Sequence, residues 1–292
     1  MYSCALPGKN TLWLLPNATG NEMSCMSSIQ LNFFSRCLNF RTEVKVVLPE
    51  YPGQRDFSIA RKEAFDASLT FPAVYLLHGY TGDYSDWMSM IPMERYAEKY
   101  GLAIVMPHGY NSWYCNLPNG PQVESYIAEE LPAAMEAVLP ISERAEQRFI
   151  AGLSMGGSGA VQIGLAYPAR YRAMASASAV FSCDLLAQQY DEDLPEQKEM
   201  LARMRFAYRE RPDALAMYHA SLASGKSMPE HLCLYGTEDE MYPYQYRAFQ
   251  AFVQESKAPV RMECRAGKHD FEFWDSAVQR MLQWFSSFKE KC

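Results

Sequence analysis

The chain is predicted to be an α/β protein with a mostly parallel, doubly wound sheet flanked by helices. Three observations carry that prediction. Continuous apolar runs at Ala73-Val74-Tyr75-Leu76-Leu77 and Leu102-Ala103-Ile104-Val105-Met106 suit strands covered on both faces. Helix-compatible segments alternate with strand-like runs along the chain, the pattern of a parallel sheet with crossover helices. Gly152-Leu153-Ser154-Met155-Gly156 fits the G-x-S-x-G turn, in which a strand passes sharply into a helix.

Taken in order, residues 1–27 mix Pro, Asn, Gly and Ser around one apolar patch, Leu12-Trp13-Leu14-Leu15. They read as a dispensable leader, with Met26 a candidate start of translation, and residues 28–292 read as a single domain. Between Ile29 and Leu48 the pattern suggests paired strands, since Thr42, Val44, Val46 and Leu48 recur with period two. Residues 49–70 are expected to form an exposed loop. The strand at 73–77 runs into His78-Gly79-Tyr80-Thr81-Gly82-Asp83, and a helix from Met93 to Tyr100 closes at Gly101 before the strand at 102–106. A loop over 108–122 carries Trp113 and Tyr114. The helix at 123–139 should restart or kink at Pro132, which lacks the amide a helix interior needs.

Phe149-Ile150-Ala151 enters the glycine turn, and a small-residue helix leaves it and ends at Pro168. A strand over Ala173–Ser178 follows. Then comes a charged helical insert, about 181–228, which is a candidate cap with Met200, Leu201, Met204 and Phe206 on its inner face. Strand Leu232–Tyr235, helix Tyr244–Ser256, strand Val260–Cys264 and helix Phe273–Phe288 complete the chain. No linker divides it.

Composition excludes some functions. Lys and Arg number 27 against 34 Asp and Glu, a formal charge of −7, which leaves no basic surplus for nucleic-acid phosphates. No stretch reaches the ~18 apolar residues of a membrane span, and the N-terminus lacks a secretory signal, so a cytoplasmic location is expected. The 8 cysteines form no C-x-x-C pair and have no histidines at ligand spacing, so neither a zinc site nor a disulfide scaffold is expected. The chemistry asks for no metal or organic cofactor. A homo-oligomer is compatible with all of this.

A serine hydroxyl becomes nucleophilic only when a base takes its proton and an acid holds that base in the right tautomer. In the α/β-hydrolase fold these partners follow the serine in the order acid, then histidine, on loops after strands. His219 lies in the charged insert, and His231 begins a strand at the end facing away from the site. His269 follows the strand ending at Cys264 and is the candidate base. The strand ending at Tyr235 leads into Gly236-Thr237-Glu238-Asp239-Glu240, where Asp239 is favoured as the acid and Glu238 is second. An oxyanion needs two backbone donors, and the amides of Met155 and Tyr80 are the candidates. Gly79 lets the backbone approach, and His78 is expected to be a structural hydrogen-bonder. Trp87, Trp113 and Tyr114, on loops at the active edge, are candidate substrate contacts, whereas Trp274 and Trp284 read as core.

Leu76-Leu77-His78-Gly79-Tyr80-Thr81-Gly82 with Asp86-Trp87, Glu129-Glu130-Leu131-Pro132, Gly152–Gly157, Gly236-x-x-Asp239 and Ala266-Gly267-Lys268-His269 together resemble the tributyrin esterase branch of the esterase D family. The resemblance spans roughly residues 28–290. It implies a serine carboxylesterase for short acyl esters (acetyl, butyryl, or feruloyl and sugar-linked), with Ser154, Asp239 and His269 as the triad and a small-molecule ester as partner. Its relatives include S-formylglutathione hydrolases, feruloyl and acetylxylan esterases and mycolyltransferases. The formylglutathione hydrolases carry Ser-Gly-Leu-Thr-Cys where this chain has residues 78–82, which points away from that substrate. Acyl transfer to a carbohydrate would use the same residues, and a catalytically silent binding protein would be expected to lack one of them.

Overall fold

Strands β1 (Ser27–Ser35), β2 (Phe40–Leu48), β3 (Ala73–Leu77), β4 (Ala103–Pro107), β5 (Arg148–Leu153), β6 (Ala173–Ala177), β7 (Glu230–Gly236) and β8 (Val260–Arg265) form one sheet. Its order is β1-β2-β4-β3-β5-β6-β7-β8. The computed structural model describes residues 27–51, 58, 68–190, 193–209, 211–239 and 243–288. The expected leader therefore lies outside the described residues except for Ser27, as does most of the expected loop at 49–70.

Burial explains the pairing. Every residue of β3, β4, β5 and β6 is buried, and from β4 to β8 neighbouring strands run parallel. These strands need cover on both faces, and helices supply it. The β1–β2 hairpin joins antiparallel, with Ile29 opposite Val46, Leu31 opposite Val44 and Phe33 opposite Thr42. The outer strand β8 carries Arg261, Glu263 and Arg265, charges that discourage further pairing at a sheet edge.

On one face lie α1 (Ser85–Met90), α2 (Met93–Tyr100) and α10 (Phe271–Ser286). They bury Trp87, Tyr96, Phe273 and Phe285 against Val74, Leu76, Ile104 and Phe149. The other face is covered by α3 (Val123–Ser125), α4 (Leu131–Val138), α5 (Met155–Ala166), α6 (Cys183–Ala187), α7 (Pro195–Ala207), α8 (Ala214–Ser224) and α9 (Pro243–Ser256). Between α3 and α4 the chain makes a π turn, Tyr126–Glu130. Pro132 follows it at the start of α4. The kink expected from the missing proline amide thus takes the form of a wider turn just before it.

Helices α6, α7 and α8 form the insert between β6 and β7. Met200, Leu201 and Met204 are buried as expected, but Phe206 is 48% exposed. Residues 200, 204 and 207 share one face of a 3.6-residue helix, and that stripe passes through Ala207 instead of Phe206.

Candidate active site

Parallel strands bring the sequence-predicted residues to one end of the sheet. Ser154 follows β5, Asp239 follows β7 and His269 follows β8, all at carboxyl ends, where open α/β sheets meet their ligands. His269 Nε2 is 3.2 Å from Ser154 Oγ, and His269 Nδ1 is 3.0 Å from Asp239 Oδ2. An ionised carboxylate can only accept, so Nδ1 carries the hydrogen and Nε2 is left to take the serine proton. Glu238, the competing acid, is exposed, whereas Asp239 is buried.

The two loops that carry Asp239 and His269 are tied through the backbone. Thr237 N–H donates to Arg265 O at 2.7 Å and Glu238 N–H donates to Gly267 O at 2.9 Å. Asp270, next to the base, turns away to cap α10 by accepting from Phe273 N–H at 3.0 Å.

Ser154 is held at φ 50° and ψ −121°, a strained backbone conformation for a residue with a side chain. The glycines of the motif make that turn possible by close approach. A Cβ at Gly156 would lie 2.1 Å from Leu77 O, and one at Gly152 would lie 2.4 Å from the Gly156 backbone. Ser154 N–H donates to Ala177 O at 2.9 Å, which anchors the elbow to β6.

One of the two expected oxyanion donors adjoins Ser154 in the chain and the other belongs to a residue that shares its cleft. Met155 N–H opens α5, and the first amides of a helix have no acceptor within it. Tyr80 lines the same cleft as Ser154. Its amide is oriented by His78. Gly109 N–H donates to His78 Nε2 at 2.7 Å, so His78 Nδ1 carries the hydrogen and donates to Gly79 O at 2.8 Å. In a trans peptide the carbonyl and the following N–H point opposite ways, so tethering Gly79 O turns Tyr80 N–H away from that tether. Burial, aided by nearby His108, pushes the His78 pKa down to about 4. The ring therefore stays neutral at ordinary pH, as a structural hydrogen-bonder must.

An open cleft of about 450 Å³ surrounds Ser154 and His269 and is lined also by Gly79, Tyr80, Thr81, Gly82, Asp86, Leu153, Met200, Phe271 and Trp274. Of the four expected substrate contacts, Gly79 is there and the three aromatic residues are not. Trp87, Trp113 and Tyr114 are 0%, 1% and 0% exposed. Trp87 sits on α1, a six-residue helix too short to show a period in sequence, and faces the sheet. Trp113 and Tyr114 both take left-handed φ (54° and 55°), and this turn tucks their rings inward. Tyr114 O–H donates to His78 O at 3.0 Å, so that ring supports the oxyanion loop from behind.

The aromatic wall of the cleft comes from elsewhere. Trp274 is buried in the core as expected, yet its ring also reaches the cleft, edge-on to His269 at 4.9 Å between ring centroids, and Phe271 packs against Trp274. Met200, expected on the inner face of the cap, and Asp86, from the Asp86-Trp87 motif, also line the cleft, a place the sequence did not assign them. The signal for Phe271 and Trp274 was their distance from the base, two and five residues on, at the first turn of a helix.

A strained serine on a strand–helix elbow, a histidine and a buried aspartate in hydrogen-bond sequence, and this sheet order define an α/β-hydrolase fold of the serine-hydrolase kind. The family model described as "Putative esterase" matches residues 37–291, and the chain belongs to that family. It is 26% identical over 275 residues to an acetyl esterase of Caldicellulosiruptor saccharolyticus, covering 91% of this chain and 100% of that protein. Two solved Staphylococcus aureus structures are similar. One is FphF, a fluorophosphonate-binding serine hydrolase, at 25% identity and a TM-score of 0.76, covering 89% of this chain and 98% of that one. The other is the S-formylglutathione hydrolase FrmB, at 26% identity and a TM-score of 0.75, covering 90% and 100%. The protein is a carboxylic ester hydrolase of the serine type.

Proposed function

We propose that Ser154, His269 and Asp239 are the catalytic triad of an esterase for short-chain acyl esters, acetyl and butyryl foremost. The observation that carries this is the unbroken chain from Asp239 through His269 to Ser154, at 3.0 and 3.2 Å, opening into the cleft. His269 Nε2 takes the Ser154 proton as Oγ bonds to the ester carbonyl carbon, and the amides of Tyr80 and Met155 hold the resulting oxyanion. Collapse breaks the bond to the alcohol oxygen, which leaves with the proton from His269. Water, deprotonated by the same nitrogen, then releases the acyl group. Asp239 steadies the imidazolium in both steps.

The apolar surface of Leu153, Met200, Phe271 and Trp274 supports a short hydrocarbon acyl group. The tributyrin-esterase assignment within the family rests on the motifs at residues 76–87 and 266–269. A cytoplasmic site of action is supported by cysteines 37, 115, 183, 233 and 264 being free thiols. No helix among the described residues is long and apolar enough to cross a membrane.

The test is a pre-steady-state burst with p-nitrophenyl acetate and butyrate, together with mass spectrometry after fluorophosphonate treatment. A burst equal to the enzyme concentration and an adduct on Ser154 are expected. An adduct absent from the folded protein would sink the reading.

A further inference from the structure

Hydrogen bonds to Asp239 and Ser154 locate the two ring nitrogens of His269. On the esterase reading, one of these bonds is lost during the reaction. Once Ser154 Oγ is bonded to the acyl carbon it has no proton to donate, yet the ring must stay in place to serve the departing alcohol and then water. A restraint other than that hydrogen bond is needed, and the start of α10 provides one.

Asp270 is the N-cap of α10, with extended backbone (φ −146°, ψ 171°) and a side chain that accepts from Phe273 N–H. His269 therefore stands just before the cap, and Trp274 is the fourth helical residue. These are the two positions that pack together in a hydrophobic staple, the contact that sets the angle at which a chain enters a helix. Here the outer member is the imidazole, which meets the indole at 4.9 Å between centroids and 82° between planes. The turn before it rests on the same helix, since a Cβ at Gly267 would lie 2.7 Å from Phe273 Cβ.

The indole is itself tethered. Trp274 Nε1–H donates to Ser178 Oγ at 3.3 Å. Ser178 is buried, takes a left-handed φ of 50° and donates its own N–H to Leu234 O at 3.0 Å. The residue before it, Ala177, accepts the amide of Ser154. Ser154 and the ring that braces His269 are thus both fastened to successive residues at the end of β6. An apolar side chain of any shape would close a staple, so an indole whose N–H is satisfied on the sheet does more than start the helix.

We propose that Trp274 is a positioning residue, which holds the His269 imidazole in line with Ser154 through the staple contact and through its own tether to Ser178. This rests on the esterase reading above. Trp274→Ala should lower kcat on p-nitrophenyl acetate about 10²-fold with KM changed by less than about threefold, because a small misplacement of the base acts on the chemical step. Trp274→Phe keeps a ring and loses the N–H, and Ser178→Ala removes its acceptor; each should lower kcat by about three- to tenfold. The His269 Nδ1–H proton resonance, shifted downfield by Asp239, should broaden or vanish in Trp274→Ala. Trp284→Ala, which opens a gap near the other end of α10, should leave both kcat and the resonance as in the wild type. If Trp274→Ala does not fold, Trp274→Phe and Ser178→Ala carry the same test. A loss confined to KM, wild-type kcat in both Trp274→Phe and Ser178→Ala, or an unchanged resonance in Trp274→Ala would overturn the proposal. A wild-type protein with neither turnover nor a fluorophosphonate adduct on Ser154 would refute the esterase reading instead, and the resonance would still decide whether Trp274 braces the ring.

Discussion

Ser176 Oγ and His231 Nε2 lie 2.9 Å apart across β6 and β7, closer than the 3.2 Å between Ser154 Oγ and His269 Nε2. By distance alone the first pair looks the better catalyst. Its surroundings say otherwise. The Nδ1 of His231 meets the hydroxyl of Tyr218 at 2.7 Å, where His269 meets a carboxylate. His231 is buried among Phe181, Tyr218 and Phe249, and that burial pushes its pKa down to about 3. An imidazole so placed cannot become the imidazolium that serine attack requires. Ser176 also lies within β6, where no helix N-terminus offers an amide to an oxyanion. A hydrogen bond between serine and histidine can therefore be purely structural, and chemistry needs the carboxylate, the opening and the donors as well.

That contrast can be broken or sharpened by experiment. The largest effect should come from Ser154→Ala, which should lower kcat/KM on p-nitrophenyl acetate by ~10⁵-fold or more. Ser176→Ala should leave fluorophosphonate labelling of Ser154 intact, and an adduct on Ser176 would erase the distinction. Next, Asp239→Asn should reduce kcat by about 10⁴-fold through the wrong histidine tautomer, with no comparable loss in Glu238→Gln. His78→Leu, which frees the Gly79 carbonyl, should lower kcat by roughly 10²-fold while circular dichroism stays native.

The smallest effect concerns stability. His231 and His78 have folded pKa values pushed below the ordinary 6.5, to about 3 and about 4, by burial in the first place. The unfolded chain binds protons that the folded rings refuse. Their contribution is full above pH 6.5 and is lost as pH falls toward those lower values, on the order of a few kcal/mol. Urea midpoints at pH 7 and pH 4.5 should show this loss, and it should be smaller in His231→Gln.

The sheet and the meeting of Ser154, Asp239 and His269 were legible because their signals are local. The runs at 73–77 and 102–106 are apolar at every position, as strands buried on both faces must be, and the elbow needs its glycines within five residues. His269 could be separated from His231 by which end of a strand each occupied. The walls of the cleft were not legible in this way. Whether a tryptophan faces solvent or core depends on which residues pack against it, and Trp87 and Trp113 came out opposite to expectation for that reason, whereas Trp274 is core as expected and also lines the cleft. Phe206 failed on phase within its helix, since an error of one residue turns a side chain by about 100°. Asp86 was visible only beside Trp87 in a motif, and its place in the cleft is set by the folded loop.

The backbone ties from Thr237 to Arg265 and from Glu238 to Gly267 mount Asp239 and His269 on a single frame. The helical insert leaves and rejoins the sheet upstream of that frame, between β6 and β7. Its length and side chains can therefore diverge between relatives, reshaping what is admitted to the cleft, while the spacing of Asp239, His269 and Ser154 is kept.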